Sequence, residues 1–220
     1  MKRIRWYDHI TINIYWLGLN MASGSLTPII LPFLVQTFVG EATKNTALGA
    51  LRSAGLIVAI LVQPAAGLLS DRSTSRWGRR RPFIFVGTML DILFLVCIGF
   101  SGNYWMLFAS VLLLQFSSNV AHGALQGLIP DLVPEDQRGR SSGVKAIMEL
   151  LPVVLTAFTV AKLVGAGQVW MALLVVIGSL LVTMLITVLA VHEEPLREPV
   201  EKPLRPLLAR VAMLLSLIHI

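Results

Sequence analysis

Charge, carboxylates and cysteine are all scarce in this 220-residue chain: Asp, Glu, Lys and Arg together make up 14%, and Asp plus Glu number 12. A soluble globular domain carries roughly 25% charged residues, so the shortfall excludes an ordinary water-exposed surface. The single cysteine, Cys97, sits inside an apolar run. Disulfide frameworks, thiolate metal clusters and thiol catalysis therefore have no support. No glycine-rich phosphate loop occurs, and no nucleophile and base stand at a readable spacing, so neither an enzyme nor a bound cofactor or metal is expected. What fills the chain is apolar: 55% hydrophobic residues and a mean hydropathy of +0.76. A net charge of +6 would point to nucleic acid if it covered a face. Here the basic residues are confined to turns between apolar stretches, which is a membrane-topology pattern, and no nucleic-acid partner is expected.

Six stretches approach or exceed the roughly 20 residues a helix needs to cross hydrocarbon: 11–39, 47–70, 82–100, 103–129, 141–164 and 168–191. The expected fold is an all-α, six-helix membrane bundle surrounded by lipid. Lys2, Arg3 and Arg5 imitate a secretory signal, but the apolar run after them is too long and holds Asn13, Asn20 and Thr27, so it reads as a span. Pro28 and Pro32 predict a bend within it. The short turns at 40–46, 100–103 and 165–167 require antiparallel neighbours.

Arg72, Arg76, Arg79, Arg80 and Arg81 fall on the same side as the N-terminus, with Arg138, Arg140, Arg197, Lys202 and Arg205. Short basic loops resist translocation, which places that side in the cytoplasm. Beyond the sixth span, 192–206 reads as a charged, proline-punctuated cytoplasmic linker. The apolar stretch 207–220 reads as the start of a seventh helix cut short, and 1–191 as the N-terminal domain of a larger plasma-membrane protein (inner membrane if bacterial).

Polar side chains within a bilayer face a bundle interior or a wet cavity. In the first span Asn13, Asn20 and Thr27 repeat every seven residues on one face, and in the second Arg52, Ala59, Gln63, Gly67 and Ser70 form a comparable stripe. The fourth carries Gln115, Asn119, His122 and Gln126 at intervals of four, three and four; the fifth carries Lys145, Glu149, Pro152, Thr156 and Thr159. The third and sixth have few polar groups. Four wet faces can enclose a cavity that the other two helices support from outside, or they can bind helices together by hydrogen bonds. Asn13, Asn20, Gln63, Gln115, Asn119, His122 and Gln126 are the candidate substrate-cavity residues.

Glu149 and Lys145 stand at the i,i+4 spacing of a helical ion pair. Glu149 reads either as a proton- or substrate-responsive carboxylate or as half of a structural pair. Asp91, near the middle of the third span, reads as a helix contact, with ion coupling as the alternative. Asp71 and Asp131 end the second and fourth spans, where a carboxylate is unfavourable unless a cation is near. The arginines of 72–81, with Arg138 and Arg140, are their expected partners in a gate.

Gly67-x-x-x-Asp71-Arg72 followed by Gly78-Arg79-Arg80-Arg81 resembles the loop signature between helices two and three of the major facilitator superfamily. The expanded form Ser70–Ile84 is similar to that of the glycoside–pentoside–hexuronide symporters and sucrose transporters. Ile129–Arg140 resembles the loop between helices four and five in many facilitators. The resemblance implies a twelve-helix transporter alternating access around a central site, with this chain as the N-terminal six helices and a missing C-terminal six-helix half as partner. It carries gate roles onto Asp71, Arg72, Gly78, Arg79 and Arg81, and implies a small-molecule substrate, a sugar moved with a proton. The melibiose-permease branch places sodium-binding carboxylates on helices two and four. This chain has none within those spans, so the proton is preferred to sodium. An exporter of drugs or other metabolites is the alternative function, and a non-transporting membrane interaction or sensor protein a remoter one.

Overall fold

A computed structural model of the chain describes residues 4–193. The seventh-helix start expected at 207–220, and the expected linker from 194 onward, lie outside the described residues. Every regular element among the described residues is helical. Six segments are long and apolar enough to span a membrane: Trp6–Val39, Lys44–Asp71, Arg81–Gly99, Tyr104–Leu132, Glu135–Gly165 and Val169–Ala190, numbered here as spans one to six.

Most span ends fall within about a helical turn of the sequence expectation. Span one starts earlier, at Trp6, because the Arg5 backbone N–H donates to the Asp8 carboxylate at 2.8 Å and caps the first turn. The irregularity expected from Pro28 and Pro32 takes the form of a π-helical turn, Leu26–Ile30, before the α-helix resumes at Leu31–Val39. Pro28 has no N–H to give the ladder, and widening the turn accommodates that loss. Span four begins where the Asn103 side chain accepts the Met106 N–H at 2.9 Å.

Span one is central: its first segment, Trp6–Ser25, packs on spans five and six, and its last, Leu31–Val39, on span two. Span four packs on spans two and three, and span three also meets span six. Glycines set the close approaches. A Cβ on Gly123 would lie 2.5 Å from the Gln63 carbonyl oxygen of span two, and one on Gly87 would lie 2.9 Å from the Ser117 carbonyl oxygen of span four. Backbones that close allow the dense van der Waals packing on which helix association in lipid depends.

Spans three and six were expected to stand outside a four-helix cavity. Span six is the most apolar of all, with a mean hydropathy of 2.8, yet it is also the most buried, with 44% of its apolar stretch inside the bundle against 17% for span two and 22% for span five. Lipid and protein interior are equally apolar, so hydropathy alone cannot tell which of them covers a helix. Spans two and five instead carry the exposed apolar faces, including Leu56, Ile57 and Ile60 on one and Ile147, Leu150 and Val154 on the other.

Enlarging Gly123 should therefore separate spans two and four. Gly123→Leu is expected to cost at least the ~1–3 kcal/mol of core overpacking, read as a lower melting temperature in detergent. Gly143, with nothing within 4 Å of an added Cβ, is the control. Gly143→Ala should be neutral or stabilising by up to about 1 kcal/mol, the helix-propensity gain.

Candidate functional site

The polar stripes of four spans meet around one cavity of ≈ 410 Å³. Span one contributes Trp16, Leu19, Asn20 and Ser23; span two, Ala59 and Gln63; span four, Gln115, Ser118, Asn119, His122 and Gln126; span five, Lys145 and Glu149. This volume lies within the ~300–1,000 Å³ of small-molecule sites. Several lining side chains are already oriented by their own helices. The Asn20 amide donates to the Trp16 carbonyl at 2.9 Å, and the Asn119 amide to the Gln115 carbonyl at 2.7 Å. In both cases the side-chain carbonyl remains available as an acceptor. Gln126 and His122 approach through their Nε2 atoms at 3.3 Å.

Lys145 and Glu149 pair at 3.5 Å on the wall of this cavity, each about a third exposed. The ammonium also lies 3.9 Å from the centroid of the Trp16 ring, a cation–π contact across spans five and one. The same indole meets the His122 ring edge-on at 5.1 Å. Trp16 thus joins the cation, the imidazole and the cavity. Sequence reading missed it because an aromatic in an apolar span carries no signal of its own.

Asn13 does not join the cavity. Its amide donates to the His9 carbonyl at 2.8 Å and to Ser141 Oγ at 2.9 Å, binding the start of span one to span five. The seven-residue repeat placed Asn13 on the same face as Asn20. At its depth, however, the two helices have closed on one another, so the asparagine meets a helix instead of water.

Asp91 is also separate from the main cavity. It is 1% exposed, accepts a hydrogen bond from Ser117 Oγ of span four, and borders a second hollow of ≈ 260 Å³. Arg52, whose guanidinium donates to the Thr27 carbonyl at 3.0 Å, lines the same hollow. Ser23, Ala59, Gln115 and Ser118 line both spaces, which are therefore adjacent.

At the end of the bundle bearing the arginine loop, Arg80 is the centre. Its side chain is 7% exposed, and it reaches Asp71 at 2.6 Å, Asp131 at 2.5 Å and Ser70 Oγ at 3.2 Å. Arg79 contacts Asp131 as well, and Arg81 donates to the Val188 carbonyl of span six. Gly127 leaves the guanidinium room here, since a Cβ would fall 1.8 Å from the Arg80 guanidinium carbon and displace it. The Arg80 and Arg81 backbone N–H groups donate to the Glu193 carboxylate at 2.9 and 3.2 Å. Gly78 takes φ +104°, which glycine favours, and a Cβ there would lie 2.6 Å from that carboxylate.

Among the expected gate residues, Asp71, Gly78, Arg79, Arg81 and Asp131 thus gather at this node. Arg72 supplies the C-cap of span two, its backbone N–H donating to the Leu69 carbonyl at 3.2 Å. Arg138 turns the other way: it bonds the Val133 and Pro130 carbonyls at 3.3 and 3.2 Å and lies 3.5 Å from Glu135. Arg79 and Arg80 already satisfy Asp131, so Arg138 pins its own loop. Arg80 was expected in the gate only as one of the arginines of 72–81 and Ser70 only as part of the stripe of span two, while no gate role was expected for Gly127 or Glu193. Arg80 stood in a run of three arginines, and the run gave no sign of which one points inward.

Removing Arg80 would take from Asp71 the cation it bonds and leave Asp131 with Arg79 alone. Arg80→Ala is expected to destabilise the bundle by about 2–4 kcal/mol, less than or equal to the ~3–5 of a fully buried pair because Asp71 is half exposed. Arg80→Lys should recover little, since an ammonium cannot reach three partners in the planar fork geometry. Thermal unfolding in detergent measures both.

The family model described as Major Facilitator Superfamily matches residues 16–219. Among curated proteins, the chain is similar to a sucrose transport protein of Oryza sativa subsp. japonica, 38% identical over 100 residues (36% of this chain and 19% of that protein). It is 30% identical over 163 residues to the general alpha-glucoside permease of Schizosaccharomyces pombe (64% and 30%). Against proton-associated sugar transporter A of Homo sapiens it is 33% identical over 172 residues (66% and 23%). The chain spans less than a third of the length of these relatives. With six membrane-length helices and a family match over most of its length, this integral, multi-pass membrane protein belongs to the Major Facilitator Superfamily.

Proposed function

We propose that the chain forms half of a secondary active transporter that carries a sugar or glycoside together with a proton, by alternating access, across the plasma membrane. The observation that carries this reading is the chemistry of the main cavity. Of its lining residues only Trp16, Leu19 and Ala59 are apolar. An uncharged, hydroxyl-rich ligand needs many neutral donors and acceptors, which Asn20, Gln63, Gln115, Asn119 and Gln126 supply. It also needs an apolar surface for its C–H face, which the Trp16 ring offers. An amphipathic drug would be better matched by a mainly apolar wall. The names of the relatives, which refer to sucrose, alpha-glucosides and sugar with a proton, support the same substrate class. A second six-helix half, for which the greater length of those relatives leaves room, would cover the exposed faces of spans two and five.

In this reading the Lys145–Glu149 pair binds sugar hydroxyls, and the network around Arg80 holds the arginine-loop end closed during part of the cycle. The reading is tested with the intact protein in lipid vesicles, by following labelled disaccharide with and without an imposed pH gradient. Saturable uptake, concentrated inside by the gradient, is the expected result. Dye efflux without saturable sugar flux would replace it with the exporter, and partner binding without any flux with the sensor protein.

Charge-assisted hydrogen bonds contribute about 1.5–3 kcal/mol. Glu149→Gln is therefore expected to raise the sugar KM about tenfold or more, while leaving the accumulation ratio at saturating sugar unchanged. Glu149→Leu alone strands Lys145 and should lower the yield of folded protein. Lys145→Met combined with Glu149→Leu should restore folding without restoring sugar affinity.

A further inference from the structure

Away from the span ends, the described residues include two carboxylates that could exchange a proton, Glu149 and Asp91, and they differ in what surrounds them. Glu149 faces Lys145 at 3.5 Å, is about a third exposed, and so has both a counter-charge and water. Its charge is therefore already compensated where it stands. Asp91 is 1% exposed, and no cation pairs with it among the described residues. An unpaired charge buried in a membrane helix is costly, and neutralisation by a proton removes that cost.

We propose that Asp91 is the proton-binding carboxylate of the transport cycle, loaded from the hollow it shares with Arg52 and Gln115. This rests on the proton-coupled reading above and assigns its proton to a site outside the sugar cavity. The carboxylate takes a proton from water in the hollow to become the neutral acid, and returns it to water when access alternates. The groups facing it are few. Span one presents Tyr15, whose hydroxyl bonds Thr88 Oγ1 at 2.5 Å. Span two presents Arg52 across the hollow. Spans four and six contribute Ser117, Gln115 and Leu180, none of which titrates.

The geometry also shows how a proton there reaches the sugar. Ser117, which donates to Asp91, is followed by Ser118 and Asn119 on the cavity wall, and Gln115 and Ser118 line both spaces. One turn before Asp91, Gly87 lies so close to Ala121 and Ser117 that an added Cβ would be within 2.9 Å of their backbones. Discharging Asp91 weakens the charged hydrogen bond from Ser117 at this tight crossing. That shifts span four, and with it Asn119, His122 and Gln126.

The test uses the intact protein in vesicles and two assays: accumulation of labelled disaccharide driven by a pH gradient, and sugar exchange at equal pH. Asp91→Asn is expected to reduce accumulation to simple equilibration while exchange stays near the wild-type rate, and Asp91→Glu to restore accumulation. Asp91→Asn accumulating like wild type would overturn the proposal and leave proton coupling standing. Wild-type exchange with no accumulation under the gradient would instead remove proton coupling itself, and the proposal with it. Should Asp91→Asn yield no folded protein, Ser117→Ala decides: a displaced midpoint in the pH profile of exchange supports the assignment, and a profile superimposable on wild type overturns it.

Discussion

A guanidinium that is always charged and almost fully out of water fixes the arginine-loop end of this bundle. A buried ion left without a partner is costly, so Arg80 must be neutralised where it lies. Asp71 and Asp131 do this from the C-terminal ends of spans two and four. Those ends carry the negative pole of the helix dipole, where a carboxylate alone is unfavourable. Each side of the contact therefore corrects a cost that the other would otherwise bear. Ser70 takes a remaining N–H, and Gly127 leaves room for the planar group against the backbone. A single ion thus fixes the ends of spans two and four relative to the start of span three. Glu193 brings the segment after span six to the same place by accepting backbone N–H groups from the loop.

Closure at that end shapes the space above it. Spans one and five are already in hydrogen-bonding contact where Asn13 meets Ser141, and higher up they diverge enough for Asn20, Lys145 and Glu149 to face a cavity. Spans three and six pack on each other and on spans four and one. They form a tightly buried support, which leaves spans two and five with apolar faces uncovered. The hydroxyls of span six fit this role. Ser179 and Thr183 donate to carbonyls of their own helix at 2.7 Å, whereas Thr187 reaches across to the Thr11 carbonyl of span one at 3.2 Å.

The sequence made the spans legible because crossing hydrocarbon demands length and apolarity, and both can be read along one dimension. The stripes of spans two, four and five were legible for a related reason: a polar group in a bilayer is too costly to be placed at random. Which neighbour a polar group meets is a different question. Asn13 and Asn20 share a face, but only the crossing of spans one and five decides that one meets Ser141 and the other a cavity. Arg79, Arg80 and Arg81 are chemically identical, and successive side chains point about 100° apart around the axis, so the inward one emerges only with the fold. Arg138 looked like a partner for Asp131 by charge alone, until two nearer arginines had satisfied that carboxylate.

Span four is where these constraints converge. In order along its length it presents Gln115, Ser117, Ser118, Asn119, His122, Gly123 and Gln126, then Gly127 at a turn, and the short helix Leu128–Leu132 that completes it carries Asp131. Ser117 touches Asp91 of span three, Gly123 seats the backbone of span two, Gly127 and Asp131 hold Arg80, and the rest line the cavity. Packed interiors do not deform continuously, so a displacement at one of these contacts has to be taken up at the others. Under the proposed function this makes span four the element through which proton, sugar and gate are coupled. A proton at Asp91 changes its contact with span three, a sugar changes its wetted face, and both bear on the Asp131–Arg80 contact that closes the end. No separate relay between the sites is needed, because all three act on the same span.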